Sequence, residues 1–119
     1  MDKIIISGNL GNDPELRYFE DGRGVCNFSM CSNRKLRDGT SEKTWYSVSV
    51  YGNLAEPCKE CLRKGSKVLL EGRLKPNEQG NPHWYTKSDG SIGTTFNVTA
   101  NFVEFLDSKR EFEDESVPF

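Results

Sequence analysis

Trp45 and Tyr51 bracket a stretch whose intervening alternate residues, Ser47 and Ser49, are small hydroxyls. Residues two apart in a strand share a face. Over 44–51, Trp45, Ser47, Ser49 and Tyr51 therefore stand on one side, with Tyr46, Val48 and Val50 on the other. A strand buried on both sides would not carry two serines, and one turned only to water would favour charged side chains. Flat rings on a polar face suit stacking against nucleobases, which every base permits and which is therefore indifferent to sequence. A subunit interface or an edge of the core remains open on this pattern alone, because aromatics favour strands generally.

Trp84 and Tyr85 form a second aromatic site, among Asn81, Pro82, His83 and Thr86. They fall in residues 75–94, rich in Gly, Pro, Asn and Ser, which read as a long, mobile hairpin arm. An indole there either offers another stacking platform or packs on the domain's own surface. Basic residues lie close by in sequence. Arg34, Lys35, Arg37 and Lys43 precede Trp45, and Arg73 and Lys75 precede the arm. Lys and Arg along a groove neutralise phosphates and release counterions. Taken singly, each is ordinary solvated charge.

Other chemistries find less support. Cys58 and Cys61 form a C-x-x-C pair that has zinc-ligand spacing. However, Leu54, Cys58 and Leu62 share one helical stripe, which makes Cys58 a core residue. Cys26 and Cys31, five apart in a strand, point to opposite faces. Reduced, unligated cysteines are expected, with no metal and no cofactor. His83 is the single histidine and has no nucleophile beside it, and no phosphate-binding G-x-x-x-x-G-K-[ST] loop occurs. An enzyme is not expected.

The net charge of −2 argues weakly against a nucleic-acid partner, but it hides an asymmetry. Residues 1–110 hold all 16 Lys and Arg against 14 acids, whereas 111–119 hold four acids and no base. A slightly basic body with an acidic tail fits a polyanion binder better than the total does. The tail Glu111-Phe112-Glu113-Asp114-Glu115-Ser116-Val117-Pro118-Phe119 is too short and acidic to fold alone. Its apolar tip, closed by a carboxylate on Phe119, suits docking into a partner's pocket beside a basic group. No run approaches the roughly 20 apolar residues of a membrane span, and Met1–Ile6 lacks a secretory layout. An intracellular protein is expected.

These residues need elements to hold them. Strands are expected at Ile4–Gly8, Val25–Asn33, 44–51, 67–74 and 95–102, with a further short strand segment at Leu16–Phe19 and Glu20-Asp21-Gly22 as a hairpin turn. Residues 34–43 read as a polar, basic hairpin loop. One helix is expected over about 54–63, capped by Asn53 and closed by Lys64-Gly65. Val68, Leu70 and Leu74 mark one face of one strand, and Phe96, Val98, Ala100 and Phe102 alternate with Thr95, Asn97, Thr99 and Asn101 in the last. There is no βαβ rhythm, so a parallel sheet is not expected. Small antiparallel sheets of this kind close into barrels. About five strands with one short helix between the third and fourth is the layout of the oligonucleotide-binding (OB) barrel, here 1–107, followed by the tail 108–119.

The sequence also resembles the bacterial single-stranded DNA-binding proteins. The resemblance lies in Ile6-Ser7-Gly8-Asn9-Leu10-Gly11-Asn12-Asp13-Pro14-Glu15-Leu16-Arg17-Tyr18, Trp45 through Glu56, Leu62-Arg63-Lys64-Gly65-Ser66 and Glu71-Gly72-Arg73-Leu74. It implies an OB fold, commonly a homotetramer and alternatively a dimer, that coats single-stranded DNA in replication, recombination and repair. The family's stacking aromatics fall on Trp45, Tyr51 and Trp84, and its phosphate-contacting positions on Arg17, Lys64 and Arg73. Its tip for recruiting replication and repair proteins falls on Asp114, Glu115, Val117, Pro118 and Phe119. A cytoplasmic, nucleoid-associated place follows from the same likeness. Three departures stand out: Leu36 replaces a loop Trp, Tyr46 replaces a His, and the usual long linker before the tip is almost absent.

Overall fold

The computed structural model describes residues 1–106. In chain order they form β1 (Ile4–Leu10), β2 (Glu15–Tyr18), β3 (Gly24–Lys35), β4 (Ser41–Tyr51), a 3-10 turn at Gly52–Leu54, α1 (Ala55–Cys61), β5 (Lys67–Lys75), β6 (His83–Thr86) and β7 (Ile92–Phe105). The hydrogen-bonded order β1-β5-β7-β4-β3 returns to β1 through a β1–β3 pairing, so five strands close on themselves. β4 pairs with β7 in parallel, and the other pairings among the described residues are antiparallel. β2 adds to β3 and β6 to β7 outside that ring. Closure leaves the ring strands no open edge. It bears out the expected five-stranded barrel, with α1 between its third and fourth members.

Alternation built the barrel. Met30, Val48, Val50, Val68, Leu70 and Cys26 are fully buried, and Phe28, Val98 and Ala100 nearly so. Full burial of a Val or Leu side chain stabilises by about 1.5–3 kcal/mol, so this set dominates the favourable side of folding. α1 closes one end of the barrel. Ala55 and Cys58 are fully buried, Leu62 is buried just beyond the helix, and Leu54 packs against the core. The helical stripe expected for Cys58 is therefore present.

Several details differ from the pattern reading. α1 is shorter than 54–63, and its N-cap position falls on Leu54 with no side-chain cap, so Asn53 does not serve. A glycine at 52 with φ of +75° starts a 3-10 turn that carries the chain straight into the helix. The 34–43 stretch is mostly strand: β3 and β4 pair as far as Lys35↔Ser41, leaving only 36–40 as the turn. The arm is also built. β6 pairs with β7 from His83↔Thr95 to Thr86↔Ile92. Asn77 Oδ1 accepts from the N–H groups of Gln79 and Asn81, and Asp89 Oδ1 accepts from the Ser91 N–H, which orders the two turns.

The last strand changes face part-way. Glu71 pairs with Phe102 but Gly72 with Ala100, so Asn101 is an extra residue in β7. Such a bulge re-aims the side chains beyond it. Phe102 consequently points outward at 47% exposure while Val103 is buried, so Phe102 does not share the face of Val98 and Ala100 that strict alternation gives it. Gly72 is required at this bulge, because a Cβ there would collide with the Thr99 carbonyl oxygen. Leu74 and Phe96, on the core-facing register, are also part-exposed, and both line an apolar pocket with Pro76 and Pro82 at the root of the arm.

Candidate nucleic-acid interface

Cross-strand partners share a face of the sheet, so register alone assembles the outer surface around β4. Cys31 pairs with Trp45, Ser29 with Ser47, Asn27 with Ser49 and Val25 with Tyr51. On the other side Ser47 pairs with Asn97 and Ser49 with Thr99, and these pair with Lys75 and Arg73 of β5. β2 extends the Tyr51 row, because Arg17 pairs with Val25. Arg17, Tyr51, Ser49, Ser47, Trp45, Arg73 and Lys75 thus occupy one continuous outward face. Trp45 is 50% exposed and Tyr51 47%, whereas Val48 and Val50 between them are sealed in the core.

The two rings are held differently. Trp45 lies over the segment that succeeds β1. The Gly11 N–H donates to Ser29 O at 2.9 Å, and the Ser29 N–H donates to Asn12 Oδ1 at 2.8 Å. That segment is thereby fixed beside β3, and the indole rests against Gly11. Tyr51 is flanked by Phe19, whose ring lies at 6.3 Å between centroids and 6° between planes. The Arg23 guanidinium sits 5.5 Å from the Phe19 centroid.

The remaining basic positions separate. Lys35 and Lys43 share the outward parity of Trp45 on the β3–β4 hairpin, and Arg37 lies in its turn. Arg34 pairs with Glu42 on the reverse side of that hairpin. Lys64 lies in the turn 63–66, which is bonded to the Gly11 segment. Its N–H donates to Asp13 Oδ1 at 2.8 Å, and the Gly65 N–H donates to Leu10 O. This brings Lys64 to the β1 side of Trp45.

Trp84 is the most open ring among the described residues, at 73% exposure, yet register puts it with Thr94 and Phe96, on the core-facing side of β7 beyond the barrel. Tyr85 pairs with Gly93 and stands on the outward side, its ring covering that glycine. Within one chain Trp84 is thus not on the face of Trp45 and Tyr51. His83 serves the arm: its Nε2 lies 3.1 Å from Lys75 O, at the root of the hairpin. Pattern reading missed Phe19 and Arg23. The signal was there, since Phe19 is two residues from Arg17 and directly precedes the turn.

The thiols fit the core reading. Cys26 and Cys58 are fully buried, Cys31 half-buried and Cys61 exposed, all free. Burial pushes the Cys58 thiol up to about 12 and raises that of Cys26. Among the described residues no group of three or more His, Cys, Asp or Glu is placed to hold a metal, and no helix is long and apolar enough to cross a membrane. Asp114, Glu115, Val117, Pro118 and Phe119 lie outside the described residues.

A closed five-stranded barrel with a single helix between its third and fourth strands, and an aromatic, basic outer face, defines the oligonucleotide-binding class of folds. Within that class the chain belongs to the single-strand binding protein family, whose profile matches residues 1–106. It is similar to the single-stranded DNA-binding protein of Neisseria meningitidis serogroup A, at 33% identity over 115 residues, covering 93% of this chain and 63% of the relative. Single-stranded DNA-binding protein 1 of Synechocystis is 31% identical over 111 residues, 93% of this chain and 88% of the relative. The protein of that name from Xanthomonas axonopodis pv. citri is 36% identical over 115 residues, 93% and 61% respectively. The chain therefore spans a little over three-fifths of the Neisseria relative's length. The family is named for binding, in agreement with a protein that is not an enzyme.

Proposed function

We propose that this protein binds single-stranded DNA without sequence preference and protects it during replication, recombination and repair. The observation that carries the reading is the half-exposed pair Trp45 and Tyr51, on a face that register shares with Arg17, Arg73 and Lys75. Bases stack on the rings while the cations take phosphates. Each stack contributes roughly 1–3 kcal/mol, a value established on single-stranded-DNA-binding barrels themselves. Lys35, Arg37, Lys43 and Lys64 extend the phosphate track around Trp45. Arg34 adds long-range attraction from the hairpin's far side. Trp84 contributes a platform from the arm, reached by DNA that wraps past the barrel's end or by the face of a neighbouring protomer.

The working form is a homotetramer. Support comes from Ile5 and Phe102, exposed at 61% and 47% and joined in register through Glu71. Large apolar side chains on an outward sheet face mark an interface. The acidic segment with Asp114, Glu115, Val117, Pro118 and Phe119 recruits replication and repair proteins, and the protein works in the cytoplasm on the nucleoid. The test is fluorescence anisotropy with labelled oligo(dT), the matching oligo(U) and a duplex. Tight binding of oligo(dT) with weak binding of duplex supports the reading. Preference for duplex, or no binding of oligo(dT), overturns it, and preference for oligo(U) redirects it to RNA.

A further inference from the structure

We propose that Phe19 and Arg23, on the β2–β3 hairpin, form an additional subsite for one nucleotide, continuous with Tyr51. The inference rests on the reading that the outward face binds single-stranded DNA, and it assigns where the strand goes after Tyr51.

Parity places both residues on that face. Arg17 and Phe19 are two apart, and Arg17 shares the row of Val25 and Tyr51. Arg23 lies opposite Phe19 across the turn, because the Phe19 N–H donates to Arg23 O at 2.8 Å. The turn itself is tight: the Gly22 N–H donates to Phe19 O at 2.9 Å, and Gly22 takes φ of +91°, which a glycine supplies without strain. The hairpin therefore presents Arg17, Phe19 and Arg23 as a unit at the Tyr51 end of the face.

The rings leave room for a ligand. Two near-parallel rings 6.3 Å apart do not cover each other face to face, and Phe19 and Tyr51 remain 44% and 47% exposed. Such a pair presents more open π-surface than either ring alone, enough to continue a base stack. A large aromatic in a hairpin turn gains little from burial here. Its exposure is explained when a base covers it.

Arg23 supplies the phosphate contact. Asp21 engages Nε at 2.8 Å, in an ion pair whose side chains are 72% and 55% exposed. A pair this open is weak and yields to competition. A guanidinium has five N–H donors, so the terminal nitrogens can take a phosphate while Nε keeps its carboxylate. The guanidinium lies 5.5 Å from the Phe19 centroid, within reach of the phosphate of a nucleotide whose base stacks at Tyr51 and Phe19.

The test uses the full chain and labelled oligo(dT). Phe19→Leu weakens binding about 5- to 30-fold. Arg23→Gln lowers the slope of log affinity against log salt by about 0.7, the share of one single-strand phosphate contact. Phe19→Trp keeps wild-type affinity, and the emission of its added indole is quenched at saturation. If Phe19 only props Tyr51, Phe19→Leu weakens binding but the added indole stays bright, and the subsite is refuted. Wild-type behaviour of Phe19→Leu and Arg23→Gln together refutes it as well, while leaving the wider reading intact. Wild-type protein that fails to bind oligo(dT) removes both.

Discussion

Trp45 rests on Gly11 so closely that a Cβ added to the glycine would lie 2.5 Å from the indole Cζ3 and 2.8 Å from Ser29 Oγ. The pair links backbone to function, because the missing side chain at 11 is what lets the ring lie down on the barrel and present its other side. Gly11→Ala must push the ring away, since backbone hydrogen bonds from Gly11 and Ser29 hold the segment. Affinity for oligo(dT) is expected to fall about 3- to 30-fold, within the energy of one stack, with an unchanged far-UV circular dichroism spectrum. Wild-type affinity in a folded Gly11→Ala protein would contradict the role given to this contact.

Phe102 faces out only because Asn101 is an extra residue in β7. Placing a charge there should break the proposed tetramer without unfolding the barrel, as Phe102 is outside the core. Phe102→Glu is expected to lower the mass measured by sedimentation equilibrium to that of a dimer or monomer. An unchanged mass would exclude this face from the interface.

Cysteine chemistry follows depth. Iodoacetamide at pH 8 should label exposed Cys61 well before buried Cys26 and Cys58, as read by peptide mass spectrometry. The sign of the pH effect is set by Cys58, pushed up to about 12 from an ordinary value of 9.0. The folded state holds this proton more tightly than the unfolded chain, so stability is unaffected by it below about pH 9 and falls as pH rises from there toward 12. Cys58→Ala should flatten that fall in urea midpoints. Labelling of Cys58 at the rate of Cys61 would contradict its place in the core.

Residues 111–119 carry four acids, and in sequence they begin six residues after β7 ends at Phe105. So few intervening residues favour a high effective concentration, and the acids are expected to compete with DNA for Lys and Arg. Removing 111–119 is expected to tighten oligo(dT) binding at low salt, the gain fading as salt rises and the screening length shortens. Equal affinity of the two proteins at low salt would rule out the competition.

Legibility in the sequence tracked periodicity. Val48 and Val50 alternate with Ser47 and Ser49, so the strand, its buried side and the exposure of Trp45 and Tyr51 could all be read from a period of two. Phe102 is misplaced by that pattern because a bulge changes parity without leaving a mark in it. The arm is obscured for another reason. Its Gly, Pro and Asn content marks turns, but the short β6 between them is stabilised by pairing with β7, which is tertiary information. The same limit hides the side of β7 on which Trp84 stands. The parity of Phe19 with Arg17 is visible in the sequence, but its stacking on Tyr51 is not, because that contact joins residues 32 apart in the chain.

The most direct measurement leaves Trp45 as the single indole, through Trp84→Phe, and monitors its emission during titration with oligo(dT). Emission is expected to fall steeply to saturation, and Trp45→Ala to bind oligo(dT) about 5- to 150-fold more weakly while remaining folded. Tight binding that leaves the Trp45 emission unchanged, together with wild-type affinity of Trp45→Ala, would show that bases do not stack on this face.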